Sequence, residues 1–234
     1  SAASDVYKRQ TTYVLILMFS IFTKQKSFPV RTIEQLKNSV EILFIDNEEF
    51  NLTKELKEKD GWKRIKCVTD IKSLSQPELK DAHILCVDIQ GVGKELGLVD
   101  EGLGLIAAIH DNYPEKKIIM YSAEAQGPVD AFHPAEGYVD ERLKKSANRY
   151  QFETALKRLA QEAFCLDNCA IHLQRVFQRE LGVELTKEEI KNGILKLYSK
   201  GKSDNQSICK VFNIDRAGSV ASIISSVSYT HLTL

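Results

Sequence analysis

Short apolar runs alternate with helical patterns along the middle of this chain, and no other feature narrows the fold as much. "EILFID" (41–46), "HILCVD" (83–88) and "KKIIMYSAE" (116–124) are buried-type apolar runs, "KRIKCVT" (63–69) alternates, and "GYVDERLKK" (137–145) is a weaker run. Between them lie "EEFNLTKELKEK" (48–59), with Phe50, Leu52 and Leu56 at helical spacing, and "SQPELKDA" (75–82), with Pro77 in its first turn. "DEGLGLIAAIHDNY" (100–113) is an apolar helix stopped by Pro114, and "NRYQFETALKRLAQEAF" (148–164) closes the series as an amphipathic one. Strands that are apolar on both faces need helices on both sides of the sheet. The pattern therefore predicts an α/β fold, with a doubly wound five-stranded parallel sheet.

In open parallel sheets, sites form beyond the carboxyl ends of the strands, beside the point where strand order reverses. Asp46, Asp88 and Ser122 each close a buried run, and the last run delivers Lys144 and Lys145 to the same edge. A single strand-end aspartate is ordinarily a cap or turn residue. Two acids, a hydroxyl and an ammonium at one edge make a site instead. The stretch after Asp88, "GVGKELG", fits no nucleotide loop. A phosphate loop needs glycine where Asp88 stands, and a dinucleotide fingerprint needs it where Leu96 stands. Its glycines are read as letting the chain turn tightly beside Asp88.

Taken in order, "LFIDNEE", "ILCVDIQG", "IIMYSAE" and "ERLKKSA" resemble the site segments of response-regulator receiver domains, over roughly residues 40–160. The resemblance implies a flavodoxin-like sheet of order 2-1-3-4-5 and a phosphoprotein of two-component signal transduction. It makes Asp88 the phosphoryl acceptor, Ser122 the switch hydroxyl and Lys145 the lysine that contacts phosphoryl oxygens, with Lys144 as the alternative. It also implies Mg²⁺ held by Asp46, Asn47, Asp88 and the carbonyl of Gln90, and a histidine kinase or phosphotransfer protein as the donor. The chemistry is consistent with these roles. A carboxylate can attack phosphorus, transfer depends mainly on positioning and charge neutralisation, and a hard cation with oxygen ligands supplies the latter. Such a chain is a phospho-accepting signalling protein and not an enzyme turning over a small molecule, since no second catalytic constellation occurs in it.

The chain departs from the family pattern at four places. Asn47 stands where a second acid is usual, Ser146 where proline follows the lysine, and Arg142 where an aromatic residue precedes it by three. The loop after Asp88, "GVGKELGLVDEG", is about four residues longer than usual in the family, to which the comparison belongs. These departures leave a second reading open: a receiver-like docking or dimerisation module, not phosphorylated, attached to a DNA-binding regulator.

Lysine plus arginine and aspartate plus glutamate both number 32, so net charge argues for neither nucleic acid nor an acidic partner. Five cysteines, with Cys67 and Cys86 in strand-like runs, are not a disulfide framework and suggest a reducing cytoplasm. Residues 1–10 and 227–234 look like translated sequencing adaptor and are set aside. The apolar core of "TTYVLILMFSIF" is about a dozen residues, short of the ~20 a membrane span needs, and Met18 is a plausible start, so no membrane association is expected. The expected organisation is a 1–39 extension, a 40–160 receiver-like domain, a 161–226 helical output or interaction region and a 227–234 tail.

In the helical region, Thr186 and Glu189 stand at capping-box spacing. Ile208, Phe212, Ile214, Val220 and Ile223 have helix-turn-helix spacing, which would place the segment from Arg216 onward in a DNA major groove. Arg216 is its one base, so three-helix packing or a homodimer surface is the preferred reading. Cys165, Cys169 and His172 share one helical face; a buried face is preferred there over a zinc site.

Overall fold

The computed structural model describes residues 28–123, 133–201 and 204–214. Helix α1 (Ile33–Ser39) leads into β1 (Glu41–Ile45), α2 (Leu52–Glu58), β2 (Arg64–Val68), α3 (Pro77–Asp81) and β3 (Ile84–Asp88). There follow α4 (Glu101–Asn112), β4 (Lys117–Ser122), a 3₁₀ turn (Pro134–Tyr138), β5 (Glu141–Lys144) and α5 (Arg149–Ala163). The five strands form one parallel sheet in the order β2-β1-β3-β4-β5, as the sequence pattern and the family resemblance predict.

The burial of each strand follows its place in that order. Every residue of β3 is buried, and so are four of the five in β1, because both strands lie inside the sheet with a core on either face. The edge strand β5 alternates between half-buried and exposed residues, and the edge strand β2 buries only Ile65, so neither sequence reads as a continuous apolar run. Successive side chains of a strand point to opposite faces. Ile42, Phe44, Ile84, Cys86, Ile119 and Tyr121 therefore meet α1, α2 and α5 through Leu36, Leu56, Phe152 and Leu156. Leu43, Ile45, Leu85, Val87, Ile118 and Met120 meet α3 and α4 through Leu79, Leu105, Ile106 and Ile109.

Helix α1 is not marked by the sequence pattern, which begins at residue 41. It carries a full capping box: the Gln35 amide N–H donates to Thr32 Oγ1, and the Thr32 N–H donates to Gln35 Oε1. Its Leu36, together with Val40, is buried in the first core. Between β4 and β5 the described residues contain a 3₁₀ turn and no α-helix; Gly137 and Tyr138, read as the start of the last strand, belong to that turn.

The C-terminal helices, α6 (Leu166–Val176), α7 (Lys187–Lys200) and α8 (Asn205–Phe212), pack on one another around Leu173, Phe177, Ile194, Leu197, Ile208 and Phe212. A π turn (Phe177–Leu181) ends the first of them. Thr186 and Glu189 form the expected capping box. Ile208, Phe212 and Ile214 face this core, whereas Val220, Ile223 and Arg216 lie outside the described residues. Cys169 is buried, Cys165 is exposed as the α6 N-cap, and His172 turns to the sheet. There Glu115, on the loop between α4 and β4, accepts hydrogen bonds at 2.6 and 3.1 Å from the Arg175 guanidinium and lies 3.0 Å from His172 Nδ1. Burial alone would raise the Glu115 carboxyl, but these partners outweigh it and hold the group well below the usual carboxylate range. This ion cluster fixes the helices to the amino-terminal edge of the sheet. No helix among the described residues is long and apolar enough to cross a membrane.

His83 opens β3, and its Nδ1 accepts the Glu41 N–H at 3.0 Å, which requires the neutral ring. Burial lowers the pKa of His83 and of His172, so the unfolded chain binds protons that the folded one excludes. The histidine contribution to stability should be constant above about pH 6.5 and fall below it, by up to about 1.4 kcal/mol per pH unit for each histidine. Urea unfolding between pH 5 and 8 checks this; His83→Asn, which keeps an acceptor, should show a shallower fall.

Candidate functional site

The neighbours β1 and β3 sit where strand order reverses, and each ends in a carboxylate. Asp46 directly follows Ile45, and Asp88 is the last residue of β3. Both side chains are almost wholly buried. Lys145, one residue past β5, crosses to them: its Nζ donates to Asp46 Oδ1 at 3.0 Å and to Asp88 Oδ2 at 2.9 Å, with Glu48 Oε2 at 3.3 Å. Its own N–H donates to the Ser122 carbonyl at 2.6 Å, which ties the ends of β4 and β5 together. Lys144, the alternative, ends β5 exposed, in register with Ser122.

Each carboxylate is held by more than the lysine. Asp46 Oδ1 also accepts the Glu48 N–H at 2.9 Å, and Oδ2 accepts the Tyr121 hydroxyl at 3.0 Å. Asp88 Oδ1 accepts the Gln90 N–H at 3.3 Å. Burial raises the Asp88 carboxyl above the ordinary aspartate value, against the Lys145 hydrogen bond and the Gln90 amide, which lower it. Burial works the other way on Lys145, but its bonds to Asp88 and Asp46 outweigh it and raise the ammonium. Burial, followed by the Asp46 charge, pushes the Tyr121 phenol up, so it remains a donor. The carboxylates thus share one firmly held cation.

Above them opens a cleft of about 450 Å³, whose lining includes Asn47, Glu48, Gln90, Lys94, Glu101 and Lys145. The long loop after Asp88 forms its wall. Asp70 holds this loop by accepting the N–H groups of Gly93 (2.6 Å) and Glu95 (3.0 Å), and Glu101 accepts that of Gly91 (2.5 Å). Lys94 lies 3.3 Å from Glu101. Gly102, in the first turn of α4, lies so close that a Cβ there would come within 2.2 Å of the Asp88 carbonyl. Glycine is what allows this helix to start directly against the strand end.

Asp46, Asp88 and Lys145 are therefore brought together, and Gln90 and Asn47 line the cleft beside them. Ser122 is buried at the end of β4, next to Ala123 in the cleft wall. An ammonium already bridges the carboxylates, and oxygen donors of this kind suit a hard divalent cation. Among the described residues no three His, Cys, Asp or Glu side chains are grouped to hold a metal, so further ligands would have to be amide oxygens, the Gln90 carbonyl and water. The departures from the family pattern stand out in space as well. Arg142 is exposed and pairs with Glu136, and the described residues include no cis peptide bond, Ser146 standing in place of proline.

Sequence reasoning did not single out Tyr121, Asp70, Lys94 or Glu101. Tyr121 had a readable signal, as a hydroxyl inside a buried run one position before Ser122. The partners of Asp70 and Glu101 are backbone amides, which leave no mark in residue type.

No family model matches the chain, and no curated protein matches it. Solved structures similar to it include receiver domains. A CheY-like response regulator receiver domain protein from Methanospirillum hungatei JF-1 is 20% identical, over 53% of this chain and 95% of that one, with a TM-score of 0.41. The receiver domain of NtrX from Brucella abortus is 20% identical, over 51% and 98%, with a TM-score of 0.42. The BeF3-activated DrrB receiver domain is 18% identical, over 51% and 96%, with a TM-score of 0.39. The fold is a doubly wound, flavodoxin-like one. It is seen in the strand order and the doubly wound layers of the chain itself.

Removing the lysine would leave two buried carboxylates facing each other. Lys145→Met should lower stability at pH 7 by on the order of 2 kcal/mol. The deficit should shrink as pH falls through the carboxylate range, because protonation removes the repulsion. Denaturant unfolding of both proteins at pH 7 and pH 4.5 measures it.

Proposed function

We propose that this protein is a response regulator of a phosphorelay, which accepts a phosphoryl group on Asp88 and signals through its C-terminal helices. The observation that best supports this is the Lys145 ammonium, 2.9–3.0 Å from both strand-end carboxylates on the floor of an open cleft. A carboxylate oxygen of Asp88 forms the new P–O bond as the bond to the donor's leaving group breaks, and the leaving group departs with that electron pair. Lys145 stays beside the product and donates to phosphoryl oxygens, joined by the Ser122 hydroxyl. When bound, Mg²⁺ at Asp46, Asp88, the Gln90 carbonyl and Asn47 neutralises the oxygens' charge. Asp46 is kept ready for that role by Tyr121 and the Glu48 amide, which fix its plane.

The donor in this reading is a histidine kinase or phosphotransfer protein, and there is no turnover of a small molecule. A cytoplasmic setting agrees with five free cysteines, Cys67, Cys86, Cys165, Cys169 and Cys209. In this reading the receiver half is taken as about residues 40–160 and the output region as 161–226, although Leu36, Ala163 and Phe164 belong to the first core from outside the former limits. Asn47, Arg142 and Ser146 favour a second reading, in which the receiver half is a docking or dimerisation module and the tail binds DNA.

Incubation with acetyl phosphate and Mg²⁺, followed by intact mass, separates the two. The wild type should gain one phosphoryl group and Asp88→Asn none. No gain in either, together with salt-dependent DNA binding, would leave the docking module.

A further inference from the structure

Residue Gln90 is held by acids on both sides. Its own N–H donates to Asp88 Oδ1 at 3.3 Å, and the next amide, that of Gly91, donates to Glu101 Oε2 at 2.5 Å. The second bond matters more, because the Gly91 N–H belongs to the same peptide unit as the Gln90 carbonyl. In a trans peptide the two point in opposite directions, so fixing one fixes the other. A carboxylate on the N–H also polarises the carbonyl and makes its oxygen a stronger ligand.

This contact is sustained against local cost. Glu101 has φ +47°, in the left-handed region that side chains other than glycine rarely occupy. Gly91 is at φ +82°, and a Cβ there would meet the Asn47 side chain at 2.6–2.7 Å. The peptide is thus pressed between Asn47 and Glu101, and Lys94 at 3.3 Å steadies the second oxygen of the Glu101 carboxylate. Such strain persists where the surroundings over-determine it, and it is found at functional sites.

We propose that Glu101 is a positioning residue for the divalent cation: it grips the Gly91 N–H, and so aims and polarises the Gln90 carbonyl as a ligand. The assignment rests on the reading of Asp88 as a magnesium-assisted acceptor. In it, the lengthened loop after Asp88 is part of the site, and Glu101 holds the Gly91 backbone that lies against Asn47, the neutral residue standing where the family has an acid.

Magnesium titration of the full, unphosphorylated chain by calorimetry, checked by Mn²⁺ paramagnetic resonance, tests this with Glu101→Gly and Glu101→Gln. Glycine relieves the positive φ, so Glu101→Gly should fold with an unchanged circular dichroism spectrum while its Mg²⁺ dissociation constant rises about tenfold or more. Glu101→Gln keeps an acceptor without the charge and should fall between it and the wild type. A wild type that binds Mg²⁺ with Glu101→Gly binding equally well would overturn the assignment and leave the acceptor reading intact. A wild type that binds no Mg²⁺ would overturn both.

Discussion

Two neighbouring strands, β1 and β3, run parallel at the point where the order of the sheet reverses, and each ends in an aspartate. Almost everything else at the site follows from that pairing. The register Ile45↔Val87 brings Asp46 and Asp88 out at the same level, close enough for a single ammonium to reach both. Like charges buried together are costly, and a cation between them is the simplest remedy. Lys145 is delivered to that place by the edge strand β5, through the bond from its amide to the Ser122 carbonyl. The aromatic layer of Phe44, Phe50, Tyr121 and Phe152 packs beneath, and Tyr121 turns its hydroxyl up to Asp46. Core and site are thus continuous: the ring that fills the first core also orients the first carboxylate.

The fold was legible because the period of the apolar pattern agrees with the position of each strand. β1, β3 and β4 read as continuous runs since both faces are covered, and β2, at an edge, buries only Ile65. Helix α1 was not legible in the same way. It is short, has one buried residue, and is specified by its capping box more than by periodicity. Glu41 to Lys144 carry the sheet, but the first core is closed from outside that span by Leu36.

For the site, the residues at strand ends could be named in advance, since topology alone takes them to one edge. The loop after Asp88 could not. Its shape depends on carboxylates of Asp70 and Glu101 reaching backbone amides, a kind of contact that any residue type can receive. Its extra length, read from the sequence as a departure, is held in a defined hydrogen-bonded path. The helical region offers a similar lesson. The inward placing of Ile208, Phe212 and Ile214 was foreseeable from spacing, but the attachment through Glu115, His172 and Arg175 joins residues 57 and 60 positions apart in sequence and has no local signature.

The attachment lies at the amino-terminal edge of the sheet, beside the start of β4, whereas the carboxylates lie at the opposite edge, at the ends of β1 and β3. Any signal from Asp88 to the helices therefore has to pass through the rigid centre of the fold or around its loops. Whether Asp88 is the starting point is the claim on which the rest depends. Reduction with borohydride after treatment with acetyl phosphate and Mg²⁺ converts an aspartyl phosphate to homoserine, and peptide mass spectrometry then locates it. The account predicts homoserine at position 88 and nowhere else. Homoserine at another acid, or none in a chain that binds Mg²⁺, would contradict it.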